Sequence, residues 1–436
     1  MDILFKIGQF VLIISILVIL HEFGHYLPAK LFKIKVEKFF LFFDVKFALL
    51  SKKIGETTWG IGWLPLGGYV KIAGMIDESM DRDQMAKPVE PWEFRSKPAW
   101  QRLIVMCGGV IVNFLLAWVV FSCLLISNGD TYMPTQKLAY GIEVDSIGKA
   151  IGFKTGDRIL KVDGRDIKKM SQATMEILLG DTVIVDRAGE QVKVEINDED
   201  KKLLFANVKS QFVGPRLLAQ IGYVKEGSIA EKLDLQIGDK VVSTNGRATS
   251  FWKDWTSEIV ASRGDTIHMK ISRAGKVFNR AAYLPVDGRL GVAPEYKELF
   301  VTDDYSVLNA IPAGFEKTIE ALSGQVRQFK VIFNTKTEAY KKVSGPVGIV
   351  EMMPTEWNST FFWSFLAMFS VWLAFINILP IPALDGGHVM FLLYEIISGK
   401  KPSQRVMEIG QIIGFIIVMG LMLIVFGNDI WNIFNR

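Results

Sequence analysis

Residues 8–30 read GQFVLIISILVILHEFGHYLPAK. The stretch is apolar enough, with the residues before it, to supply the roughly 20 that a membrane-crossing helix needs. At its end stand His21, Glu22 and His25, where leucine or valine would be ordinary. An ionisable group near the bilayer interior costs about 2.5 kcal/mol or more, so such residues usually have a functional reason to be there. On a helix, residues four apart share a face, and both imidazoles can reach one metal ion. Glu22 beside them is placed to act on water at that metal. The alternative is a pair of neutral histidines hydrogen-bonded to neighbouring helices. Either way, the reading sets the fold class: a polytopic α-helical membrane protein.

Composition agrees. The 436 residues are 50% hydrophobic and 22% charged, with a net charge of +4 and a mean hydropathy of +0.26. That is too apolar for an ordinary soluble enzyme and too charged for a bare membrane bundle, so both kinds of domain are expected. The small net charge gives no reason to expect a nucleic-acid partner. Cys107 and Cys123 lie in one apolar run, where a single helix holds them too far apart to bond.

Four stretches are candidates to cross the lipid bilayer: about 4–27, 103–127, 361–397 and 407–426. The third is overlong and broken by Pro380 and Pro382. Lysines and arginines crowd the segment between the first two spans and the link SGKKPSQR between the last two. The positive-inside rule puts both on the cytoplasmic side, and both termini and the long middle region on the other.

That middle region carries a repeat. SIGKAIGFKTGDRILKVDGR from Ser146 aligns without a gap to SIAEKLDLQIGDKVVSTNGR from Ser228. Such self-similarity means a duplicated module, here short helix, Gly-Asp turn, strand and a two-residue hairpin turn. The expected organisation is 1–127 as the first half of a membrane core and 361–436 as the second. Between them come modules at 128–217 and 218–300, and a helical linker at 301–360. Within the first half, residues 36–75 alternate aromatics, lysines and glycines and read as short, bent strands at the membrane surface.

Two histidines do not complete a catalytic zinc site, which takes a third protein ligand and an open position. INILPIPALDGGH, residues 376–388, supplies the candidate: Asp385 is the acidic side chain in that apolar stretch before Glu395. Prolines and glycines prevent a regular helix there, which membranes tolerate where backbone lines a cavity. A proline kink with a solvated Asp is the plainer alternative.

HEFGH in a first span, NILPIPALDGG in a later one and repeated Gly-Asp modules between them resemble the site-2 protease family, in its bacterial form with tandem PDZ domains. GIGWLPLGGYVKIAG resembles that family's membrane-associated β-hairpin, and SGPVGI at Ser344–Ile349 matches as well. Val110 is a difference, since the family often has proline there; the local bend of the second span is thereby open. The resemblance implies a zinc intramembrane endopeptidase of the bacterial inner membrane, with Zn2+ on His21, His25 and Asp385 and Glu22 as base. It implies that Asn377 holds substrate, with Pro380 and Pro382 in the same motif. Apart from the resemblance, an exposed strand edge from the 57–72 segment, with Gly60, Ile61 and Gly62 as candidate substrate-binding residues, would pair with the unwound peptide. The expected partners are single-pass membrane proteins, such as anti-sigma factors or signal-peptide remnants, cut after a prior extracytoplasmic cleavage. PDZ-like modules would bind peptides or filter by size. A non-catalytic PDZ adaptor and a metal transporter using the same ligands are the competing readings, and neither needs Glu22 beside the ligands.

Overall fold

The computed structural model describes residues 2–65, 67–75, 88–208, 210–286 and 289–434. The chain forms two compact units. One is Met1–Gly129 with Asp304–Lys330 and Lys341–Arg436; the other is Asp130–Asp303 with Val331–Tyr340.

The first unit is helical. Its helices are α1 (Asp2–Leu31), α2 (Ala99–Asn128), α3 (Val307–Phe333, whose last turn belongs to the second unit), α4 (Pro346–Met352), α5 (Ser359–Ile378), α6 (Asp385–Ser398) and α7 (Gln404–Phe434). Among the described residues, α1, α2, α5 and α7 are long and apolar enough to cross a membrane. The third crossing is therefore shorter than the 361–397 expected from sequence. Pro380 and Pro382 end α5 at Ile378, and the chain restarts as a separate helix at Asp385.

One face of α1 is buried at four-residue spacing: Gln9, Ile13, Leu17, His21, His25 and Ala29. This row continues the hydrophobic core shared with Ala117 and Phe121 of α2 and Leu366 and Val371 of α5. Helices α1 and α2 approach most closely at Gly24 and Gly108, where a Cβ on either would strike the other's backbone. Without a hydrophobic driving force inside lipid, such small-residue contacts are what let helices pack. Helix α2 runs unbroken through Val110.

Between α1 and α2 lies a four-stranded sheet of β1 (Val36–Leu41), β2 (Phe43–Ile54), β3 (Thr57–Leu64) and β4 (Tyr69–Ile72). The order is β2-β3-β1-β4, with β1 parallel to β3 and the other pairs antiparallel. β2 and β3 form a hairpin; among the described residues β2 and β4 are the edges. Exposed Val45, Phe47, Leu49, Leu50 and Trp63 give the hairpin an apolar outer surface.

The second unit contains two modules of one topology. In the first, strands Glu190–Glu195, Thr182–Arg187, Arg158–Val162 and Arg165–Asp166 lie side by side in that order; in the second the equivalents are Lys276–Tyr283, Thr266–Arg273, Lys240–Thr244 and Arg247–Ala248. Each has its own core, around Ile177 and Val185 in one and Trp255 and Ile267 in the other. The repeated Asp-Gly and Asn-Gly pairs form the hairpin turns, with positive φ at Asp163 (48°), Gly164 (77°), Asn245 (50°) and Gly246 (80°). The repeated Gly-Asp does more than turn the chain. Asp157 is buried in a two-pronged ion pair with Arg187 (2.7 and 2.8 Å), and Asp239 in the same pair with Arg273 (2.7 and 2.9 Å).

Candidate metal centre

The buried row of α1 brings His21 and His25 to the point where α2 and the start of α6 meet it. His21 Nε2 and His25 Nε2 are 3.3 Å apart, and Asp385 Oδ2 lies 3.3 Å from the first and 3.2 Å from the second. The histidines are 8% and 7% exposed. Four ligands set tetrahedrally at zinc–ligand distances of about 2.0–2.1 Å are separated by about 3.3 Å. The three atoms thus have the spacing of one face of a zinc site.

The rings are held in that orientation from behind. His25 Nδ1 lies 2.8 Å from the Val105 carbonyl, which fixes its proton there and frees Nε2. His21 Nδ1 lies 3.0 Å from the side-chain amide of Asn113, which is fully buried. With the proton on Nδ1, as the Val105 carbonyl sets for His25 and as the Asn113 amide oxygen would set for His21 if turned to the ring, each Nε2 presents a lone pair to Asp385 Oδ2, which is itself buried with no hydrogen-bond partner. Three lone-pair donors at this separation repel one another unless a cation sits among them. The donor set fits zinc on its chemistry as well as its spacing.

Glycines make room for it. A Cβ on Gly109 would overlap His25 Nε2 and stand 2.6 Å from His21 Cε1. A Cβ on Gly386 would stand 2.5 Å from the Ile378 carbonyl carbon, so the Gly-Gly after Asp385 lets α6 start tight against the proline loop. At the far side, Arg102 of α2 pairs with Glu395 of α6 at 2.5 Å, both nearly buried.

These residues open into a cavity of about 710 Å³ lined by His21, Glu22, His25, Asn377, Asp385 and His388, and on the sheet side by Lys38, Asp44 and Gly67–Ile72. Glu22 therefore shares the chamber with all three metal-ligand candidates. Asn377 reaches it too, its amide 3.5 Å from His21 Nε2.

Other expected positions lie elsewhere. Pro380 and Pro382 do not line the cavity. Pro382 instead packs on α7, where a Cβ on Gly414 would lie 2.7 Å from its carbonyl. Gly60, Ile61 and Gly62 are in β3, which is hydrogen-bonded to β2 on one side and β1 on the other. The edge expected within 57–72 is β4 (Tyr69–Ile72), whereas Gly60, Ile61 and Gly62 lie in an inner strand because the parallel β1–β3 pairing covers β3's second side. Gly60 and Ile61 border a separate apolar hollow with Ile19, Phe39 and Leu50. Sequence reading missed Asn113 and Gly109. A polar side chain inside an apolar span is the signal that marks Asn113, and a Gly-Gly pair in a span is the one for Gly108 and Gly109.

The model of Peptidase family M50 matches residues 9–421. The chain belongs to this family. A Neisseria meningitidis protein described as a candidate zinc metalloprotease is 30% identical over 448 residues, covering 97% of this chain and 98% of its own. The regulator of sigma E protease of Haemophilus influenzae is 29% identical, with 98% of this chain and 99% of that one covered. The regulator of sigma-E protease RseP of Escherichia coli is 28% identical, with 99% of each covered. The chain is thus a membrane-embedded peptidase, and family membership favours that reading over an adaptor or a transporter.

Proposed function

We propose that the chain is a zinc-dependent intramembrane endopeptidase that cuts single-span membrane proteins within their transmembrane segments. His21, His25 and Asp385 hold the metal and Glu22 is the general base. The observation that carries this is the triangle of 3.2–3.3 Å separations among two imidazole nitrogens and a carboxylate oxygen, opening into a chamber that also holds Glu22. Zinc bound there supplies Lewis acidity, making water a nucleophile near neutral pH and polarising a peptide carbonyl. Glu22 takes the proton from the attacking water and returns it to the leaving amine. The Val105 carbonyl and the Asn113 amide keep the imidazoles aimed.

A transmembrane helix hides its peptide bonds in its own hydrogen bonds and must unwind before it is cut. Strand β4 lines the chamber and is an edge, so its backbone can pair with the unwound segment. Asn377 is placed to hold a freed backbone group. Pro380 and Pro382 shape the loop that breaks the helix ahead of Asp385.

The halves of the membrane core at 1–127 and 361–436 face cytoplasm at the HEFGH end, following the lysines and arginines of the two loops. The modules at 128–217 and 218–300 are PDZ-like and lie on the extracytoplasmic side with both termini. They bind peptides or admit only trimmed substrates. Anti-sigma factors or signal-peptide remnants, already cut outside the membrane, are the substrate class; the names of two relatives tie those proteins to sigma-E regulation, which agrees with the first of these.

The deciding experiment is Glu22→Gln, with zinc measured beside cleavage of a pre-trimmed single-span substrate. The variant keeps its zinc and loses turnover by about a hundredfold or more. Wild-type turnover in zinc-loaded Glu22→Gln would overturn the mechanism.

A further inference from the structure

The sheet-side wall of the chamber holds a polar network that the chemistry above does not use. Lys38 Nζ donates to Asp44 Oδ2 at 3.1 Å and to the Tyr69 hydroxyl at 3.2 Å, and that hydroxyl donates to Asp44 Oδ1 at 2.8 Å. The three groups close a ring of hydrogen bonds, and all three line the chamber.

Their places in the sheet make the ring informative. Lys38 is in β1, Asp44 is the second residue of β2 and Tyr69 begins β4. Lys38 and Tyr69 are on neighbouring strands, but β2 pairs with neither β1 nor β4, so the ring ties Asp44 to two residues that no backbone ladder connects it to. Asp44 gets there through a contorted segment. Phe42 and Lys46 on either side of it have φ of 67° and 69°. That left-handed conformation costs a bulky residue roughly 1 kcal/mol or more, and it persists only where the surroundings enforce it. The β2–β3 register also slips between Phe43 and Ala48, and the β1–β4 register between Val36 and Lys38. Bulges of this kind re-aim side chains and recur beside active sites.

The Tyr69 ring is fixed as firmly as its hydroxyl. It lies nearly parallel to Phe40 (14°) and to Phe43 (7°), with centroids 5.6 and 6.1 Å away. Just before it, a Cβ on Gly68 would stand 2.6 Å from the Phe40 carbonyl oxygen and from Val18 of α1. Burial raises the Asp44 pKa, but the Tyr69 hydroxyl and the Lys38 ammonium outweigh it and hold the carboxyl below its usual range. The ring thus contains a carboxylate and an ammonium at neutral pH.

We propose that Lys38, Asp44 and Tyr69 are positioning residues that clamp the start of β4, so that this edge strand is presented to an extended substrate as a fixed template. Among the described residues, the hydrogen bonds of the ring do not include His21, His25 or Asp385. Its effect falls on the capture of an unwound apolar peptide rather than on bond cleavage. The inference rests on the proposal that substrate pairs with the β4 edge, and the test separates the two.

The full-length protein in detergent is assayed with a synthetic single-span peptide of about 25 residues, long enough to cross a bilayer. Asp44→Asn, Tyr69→Phe and Lys38→Met each raise KM roughly three- to tenfold, the range for the net loss of one ordinary hydrogen bond. They leave kcat within about twofold and zinc content unchanged, as expected for lost binding alone. Asp44→Asn with Tyr69→Phe is no worse than the poorer single variant by more than roughly twofold, because both break one network. Lys38→Arg restores KM. Unchanged KM in the single variants, additive effects, or loss of zinc would each overturn the clamp. In the second arm the same peptide carries N-methyl groups on backbone amides around the cut, which removes the donors that pairing needs. If N-methylation leaves the wild-type KM unchanged, edge pairing itself is wrong and the clamp falls with it. If N-methylation weakens binding and the clamp variants do not, pairing stands and the clamp alone is refuted.

Discussion

Asn113 stands with its side-chain amide 3.0 Å from Nδ1 of His21, wholly buried in the membrane unit. A histidine that gives Nε2 to a metal carries its proton on Nδ1 and needs an acceptor there. The amide oxygen of Asn113, which has no other partner, meets that need once the amide presents it to the ring. The backbone of Asn113 is fixed in turn, since its carbonyl accepts from the Ser370 hydroxyl of α5 at 2.7 Å. Three helices thereby orient one imidazole.

Replacing that amide therefore acts through the metal. Asn113→Leu is expected to lower zinc affinity by about 10- to 100-fold, read by chelator competition. Activity should fall at limiting zinc and recover when zinc is in excess. Unaltered zinc affinity would show that His21 is held by the packing around it instead.

Gly109 tests the same site from the other side. In Gly109→Ala the methyl group needs the space occupied by the two imidazole rings. Overpacking of this kind costs about 1–3 kcal/mol, and here the rings are what must move. The variant should insert and keep its helix content by circular dichroism but bind zinc substoichiometrically. Full zinc occupancy would mean that α1 and α2 can separate at Gly24 and Gly108 without disturbing the site.

In the second unit the prediction concerns pH. Asp145 caps helix Ser146–Ala150, accepting from Ile147 N (2.8 Å), Gly148 N (2.9 Å) and the Ser210 hydroxyl. Burial raises its pKa, but these donors outweigh burial and bring it below the ordinary carboxylate value. A carboxyl whose folded pKa is depressed stabilises in full above its unfolded value near about 3.9, and the contribution fades as pH falls through the folded one. Hydrogen exchange at Ile147 and Gly148, corrected for intrinsic rates, should thus lose protection below about pH 4. The matching helix Ile229–Lys232 is capped by the Ser228 hydroxyl, which does not titrate. Equal acid sensitivity in the two helices would refute the assignment. At neutral pH, Asp145→Ala should cost about 1 kcal/mol, the ordinary worth of an N-cap.

Much of this protein is legible from local sequence because local rules govern it. HEFGH puts two ligands and a carboxylate at the end of an apolar helix, and helical periodicity alone places His21 and His25 on one face. The repeat with its Asp-Gly and Asn-Gly turns shows a duplicated module, and both turns have the backbone that those residue pairs favour. The prolines mark where α5 must stop, although hydropathy alone runs the third span on to residue 397.

Tertiary structure decided the rest, because contacts between distant segments leave no local mark. Which side of a strand is free depends on its neighbours. Nothing local in residues 57–72 tells an inner strand from an edge, and only the parallel pairing with β1 makes β3 inner and leaves β4 facing the chamber. Gly-Asp reads as a turn, whereas the buried pairs of Asp157 with Arg187 and Asp239 with Arg273 need strands from elsewhere in each module. Asn113 became the partner of His21 only through the crossing of α1 and α2. The sequence alone determined that His21, Glu22 and His25 share one end of a membrane helix. The packing of α1, α2 and α6 set Asp385 3.2–3.3 Å from both imidazoles, since side chains at opposite ends of a chain meet only when the helices between them close-pack.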